Sequence, residues 1–141
     1  MSQSATSPAV TPARPGKAVN IALWVAQLLL ALAFLGAASG KLLGKPEMVG
    51  LYETIGIGQW FRYVTGLLEV AGAVLVVVPR TKAFGAALLA MVMVGAVLTH
   101  LFILHNPPTA AAVLLVLAGA VVWGRRADLE PALTRLGLVK S

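Results

Sequence analysis

The sequence predicts an all-α fold: a four-helix transmembrane bundle with a short amphipathic interfacial helix between the first and second spans. Two observations carry that class. Hydrophobic residues fill 59% of the 141 positions and charged residues only 11%, which leaves too little polar surface for a soluble domain. The apolar residues also fall into runs long enough to cross a bilayer, and the cations gather at the ends of those runs. The net charge of +6 is therefore read as topology signals and headgroup anchors, and no nucleic-acid partner is expected. The absence of cysteine excludes disulfides, thiolate-held zinc or iron–sulfur centres and any thiol redox step on this chain.

Residues 1–17 are rich in Ser, Thr, Pro and Ala, cannot bury a face, and read as a disordered cytoplasmic tail. The run from Ala18 to Gly40 covers roughly 34 Å as a helix, enough for a span and too long for the apolar region of a signal peptide. The first span is placed at about 18–42, with Gly36 and Gly40 spaced for close helix contact. Beyond it, Pro46 and Glu47 suit a helix start. Met48, Leu51, Tyr52 and Ile55 then recur at helical spacing, and Gly56 and Gly58 end the pattern. This segment reads as the interfacial helix. Tyr52 and Glu53 read as its surface anchors, with capping of the bundle mouth as the alternative. Trp60, Phe61 and Tyr63 follow where an aromatic belt would lie.

The second span, about 61–78, runs apolar between Arg62 and Arg80 except for Glu69 in its middle. On insertion scales each Val or Leu gains only about 0.3–0.6 kcal/mol, while a mid-helix charge costs roughly 2.5–3.5 kcal/mol. Glu69 is therefore expected to face the bundle interior and to meet a polar group there. Pro79-Arg80-Thr81-Lys82 makes a tight basic turn. No formally charged residue occurs from Ala83 to Trp123, too long a run for one helix, and His105-Asn106-Pro107-Pro108 breaks it. That gives a third span at about 83–104 and a fourth at about 109–124. The membrane domain is thus 18–126, and 127–141 is a polar cytoplasmic tail.

Arg14, Lys17, Arg80, Lys82, Arg125, Arg126, Arg135 and Lys140 fall on one side of this arrangement; Lys41, Lys45 and Arg62 fall on the other. The positive-inside rule places both termini in the cytoplasm. Depths then become comparable. Glu69 lies roughly 10 Å below the outer interface and His100 roughly 9 Å, by helical rise from Arg62 and Asn106. Lys41 ends the first span on that side. Helical side chains lean toward their own N-terminus, so all three point toward one layer.

The expected polar centre is Lys41, Glu69, His100, Thr65, Thr99 and, deeper on the first span, Gln27. Two readings of it stand: the charged groups only fix helix packing, or they hold a ligand or handle protons. Lys41 either snorkels to the headgroups or pairs inward. His100 is either bonded to a backbone carbonyl or to Glu69. His105 reads as an ordinary loop residue, and no metal site is expected. Motifs for soluble catalysis are absent, so no independent catalytic activity is expected.

Several stretches together resemble the DoxX-like family of small four-span membrane proteins. They are Phe34-Leu35-Gly36-Ala37-Ala38-Ser39-Gly40-Lys41-Leu42, Ile55-Gly56-Ile57-Gly58-Gln59-Trp60, Thr65-Gly66-Leu67-Leu68-Glu69-Val70-Ala71-Gly72-Ala73, Pro79-Arg80 and Gly95-Ala96-Val97-Leu98-Thr99-His100. In that family a Gly-Lys ends the first span, a Gly-x-x-Glu marks the second and a Gly-Ala-x-x-x-His the third. The resemblance covers about Ala22 to Arg126. It implies a link to quinone-coupled membrane redox systems, and for animal relatives a likeness to receptor-assembly chaperones. The expected role is an accessory or ligand-binding component of such a system, holding a quinone-like or lipid-like molecule with no covalent cofactor. If any reaction is involved, the chain is a subunit of a quinone-linked oxidoreductase. The alternatives are an assembly protein, working on a membrane-protein partner or as a homo-oligomer, and a proton relay through Glu69 and His100.

Overall fold

Helices account for the fold because apolar backbone in lipid must satisfy its own hydrogen bonds. Residues 14–135 and Gly137 are described by the structure, a computed structural model; the expected tail at residues 1–13 lies outside them. The first helix, α1 (Lys17–Leu42), starts directly after Pro15-Gly16 and runs unbroken through its alanines and leucines. Leu23, Gln27, Leu30, Ala31, Phe34 and Ala38 form its buried stripe, while Leu28, Leu29, Leu32 and Leu35 point outward. Elsewhere too the buried residues include Arg62 and Glu69, while large apolar side chains cover the outside. That inversion suits a lipid surrounding.

The end of α1 is built with care because it carries Lys41. Gly44 takes a left-handed backbone (φ 70°), its N–H donates to Lys41 O at 3.3 Å, and the Lys45 N–H donates to Gly40 O at 3.0 Å. This is the paired closure that a glycine after a helix permits. Arg62 of the third helix also donates to Lys41 O, so the last turn is tied from a second direction.

After it, α2 (Pro46–Ile55) begins on a proline that needs no N–H and ends on Gly56 at φ 82°. Next comes α3 (Gln59–Val77), which stops where Val78 turns extended before Pro79. Its buried residues Arg62, Gly66, Glu69, Gly72, Ala73 and Val76 recur every three or four positions. The tight basic turn leads to α4 (Lys82–Phe102). It ends with Thr99 O accepting from the Ile103 and Leu104 N–H groups, then the chain reverses through His105 (φ 51°) and two prolines. The next helix, α5 (Thr109–Gly124), is apolar, and α6 (Arg126–Arg135) covers most of the described C-terminal tail.

Packing runs from α1 to α3, α3 to α4 and α4 to α5, with α5 returning to α1. The backbones of α3 and α4 cross at close range, because a Cβ on Gly85 would run into the Val76 backbone. Only glycine allows helices to approach in this way. Among the described residues three helices, α1, α3 and α4, are long and apolar enough to cross a membrane; α5, with 16 residues, is shorter.

Candidate functional site

Glu69 sits on the buried stripe of α3, and Lys41 is held at the end of α1 facing it. The Lys41 Nζ donates to both carboxylate oxygens, at 2.9 and 3.0 Å. The Glu69 side chain is 2% exposed and the Lys41 side chain 12%, so the pair is shut away from solvent. Gly66, one turn above Glu69, makes the approach possible: a Cβ there would lie 3.0 Å from the Leu42 side chain and 3.4 Å from Lys41 Cβ. The ion pair is thus a consequence of helix ends fixed by Gly44 and Arg62 and of a small residue at the crossing.

The pair lies in the wall of a cavity of about 420 Å³. Phe34 and Ala37 of α1, Tyr52 of α2, Thr65 of α3 and Ala96 of α4 contribute to that wall, as do Thr99 and His100. Both threonine hydroxyls donate to a carbonyl four residues back, Thr65 to Phe61 O and Thr99 to Gly95 O, each at 2.8 Å. Their protons are engaged, and each oxygen keeps acceptor capacity. His100 faces the cavity, but its Nδ1 lies 2.6 Å from Asn106 Oδ1, in its own connector. Among the described residues no hydrogen bond joins His100 to Glu69 or Lys41, and no group of three acidic or histidine side chains is placed to hold a metal. The arrangement offers a neutral ion pair and acceptor atoms at one end of an apolar chamber.

The sequence profile of the DoxX-like family matches residues 25–124 of this chain. The chain belongs to the DoxX-like family. No curated protein and no solved structure matches it. Membership, with three helices long and apolar enough to span, makes this an integral membrane protein in contact with the bilayer. Lys41, Glu69 and His100 all fall inside the part of the chain that the DoxX-like profile covers.

The structure does not bring Gln27 to this centre. Its Nε2 donates to Val76 O at 2.8 Å and its Oε1 accepts from Arg125 Nε at 2.8 Å, near the opposite end of α3. Arg125 also donates to Asn20 Oδ1 at 2.6 Å and lies 5.4 Å from the Trp24 ring, and its Nη2 finds no partner among the described residues. In this DoxX-like chain Gln27 therefore belongs to a second polar node that ties α1, α3 and the end of α5. The reason is depth: Gln27 precedes Lys41 by fourteen residues on one stripe, roughly 21 Å along the helix.

Tyr52 corrects the sequence reading in the other direction. It is 4% exposed, not a surface anchor, and packs edge-on against Phe61 with ring centroids 5.8 Å apart. Burial, the largest influence, raises its hydroxyl above the ordinary tyrosine value. Arg62 is likewise buried: it donates to Lys41 O and, at 2.8 Å, to Gln59 Oε1, and it lies over the Tyr63 ring. Sequence pattern alone reads a cation at a span's edge as a headgroup anchor. Nothing in the pattern signals the burial of Arg62; its guanidinium lies beside Gly44, where a Cβ would be in ordinary contact at 3.5 Å.

Proposed function

We propose that this DoxX-like protein is an accessory, ligand-binding component of a membrane redox system, with a quinone-like or lipid-like molecule held in the cavity beside Lys41 and Glu69. The observation that carries the reading is the buried Lys41–Glu69 pair in the wall of a 420 Å³ chamber whose other walls are mostly apolar. Small-molecule sites combine such walls with a few convergent polar groups. The pair carries no net charge, which favours an uncharged head with carbonyl or hydroxyl groups.

The topology that fits this role is a four-span bundle in a bacterial cytoplasmic membrane, with both termini in the cytoplasm. As the fourth span, α5 covers about 24 Å by helical rise, less than the roughly 30 Å hydrocarbon core. Trp123 and Arg126 at its end supply anchors that a short span uses. The test is extraction of the purified protein and comparison of its retained lipids and quinones with those of Glu69→Gln. Selective loss of one species from the variant supports the reading; an identical bound set at identical affinity refutes it.

A second reading is favoured by the bidentate contact itself: Lys41 satisfies both oxygens of Glu69, so the pair can serve packing alone, in an assembly protein without chemistry. In that case Glu69→Gln and His100→Ala lower thermal stability while a partner complex, once formed, works normally. Copurification of a stoichiometric second chain distinguishes the two.

A further inference from the structure

We infer that the occupant of the cavity is a bilayer-borne amphiphile whose apolar chain leaves the protein sideways, through a slot between α3 and α4 walled by Leu68, Met91 and Gly95. The inference rests on the ligand reading above and adds the shape of the ligand and its route.

Four observations meet at this slot. The two helices touch backbone to backbone at Gly85 and Val76, and Gly72 packs beneath Leu89, so that end of the crossing is closed. Toward the other end the packing of α4 loosens: its last buried residue is Met93, and from Val94 to Phe102 residues such as Ala96 and Val97 are only partly buried. Leu68 and Met91 line the cavity yet are 41% and 72% exposed, so the chamber wall at this point is also the lipid-facing surface. Gly95, another lining residue, faces open space: a Cβ there would meet no atom within 4 Å.

Size decides what passes through. A cavity of about 420 Å³ is at the small end of ligand sites, which run from roughly 300 to 1,000 Å³. It takes a ring-sized head against Lys41 and Glu69 and cannot also enclose a long chain. The slot lies on helices flanked by lipid-exposed leucines and valines, so what meets it from outside is acyl chain. A head inside and a chain in the bilayer satisfies both halves of this geometry.

The experiment uses full-length protein in phosphatidylcholine nanodiscs, with saturable binding measured above that of empty discs. Two radiolabelled probes share one head: decylubiquinone, and the same benzoquinone without its decyl chain. Gly95→Trp puts an indole across the slot and is expected to weaken decylubiquinone at least about tenfold, with the chainless probe moved less than about twofold. Met91→Trp, one turn along the same helix, repeats the obstruction should the first variant fold poorly. Gly119→Trp is the control: that glycine also faces open space, on α5, and does not line the cavity. Unchanged decylubiquinone binding in Gly95→Trp and Met91→Trp overturns the slot and leaves the ligand reading standing, as does an equal loss of both probes. Failure of the wild type to bind either probe sinks the quinone-like form of the ligand reading and this inference with it.

Discussion

Removing Lys41 while leaving Glu69 in place tests the buried pair most sharply. In Lys41→Met the stem is replaced by a side chain of similar length, and the carboxylate, 2% exposed, loses both of its hydrogen bonds. Breaking a buried pair from one side costs about 3–5 kcal/mol, because an uncompensated charge stays inside. The double variant Lys41→Met/Glu69→Leu removes both charges and should come within about 1 kcal/mol of the wild type, or exceed it, since hydrophobic replacement of a buried pair is often neutral or better. Equilibrium unfolding of the wild type, Lys41→Met, Glu69→Leu and the double variant in one detergent yields the coupling energy as a double-mutant cycle. A Lys41→Met loss under about 1 kcal/mol would mean that Glu69 finds another partner or faces water, and the buried-pair argument fails.

Two further outcomes follow from the packing. Gly85→Ala should destabilise by about 1–3 kcal/mol or more, since the added methyl meets the Val76 backbone, which cannot step aside as a flexible side chain would. Thermal unfolding in detergent checks this, and a neutral result would mean that α3 and α4 are not in contact there. Gln27→Leu leaves Val76 O and the Arg125 Nε without their partner and should cost roughly 1–3 kcal/mol, more if the guanidinium stays buried. Because Gln27 does not line the cavity, ligand retention per folded molecule should stay at the wild-type level; a selective loss of ligand would contradict that placement.

The helices were legible because apolar runs, prolines and glycines punctuate the chain at the points where lipid and backbone geometry require it. The expected spans at 61–78 and 83–104 meet helices at Gln59–Val77 and Lys82–Phe102. That Lys41 and Glu69 reach a common layer was legible too, since depth follows from rise and lean from helix polarity. What depth alone could not provide was which residue partners which. His100 turns to Asn106 because the chain doubles back at His105, a local reversal with no periodic signature. Arg62 and Tyr52 are buried because α1 ends against α3 and α2 folds over the chamber, which are tertiary events. Gln27 has the right face and the wrong depth. A stripe identifies a face, but not a neighbour.

The presence of a ligand beside the buried pair is tested most directly by native mass spectrometry of the intact protein released from nanodiscs. The wild type should carry one adduct of a discrete lipid or quinone mass, and Glu69→Gln, checked as folded, should carry none. A wild type that flies bare, or a variant with the same adduct at the same occupancy, would contradict the central claim.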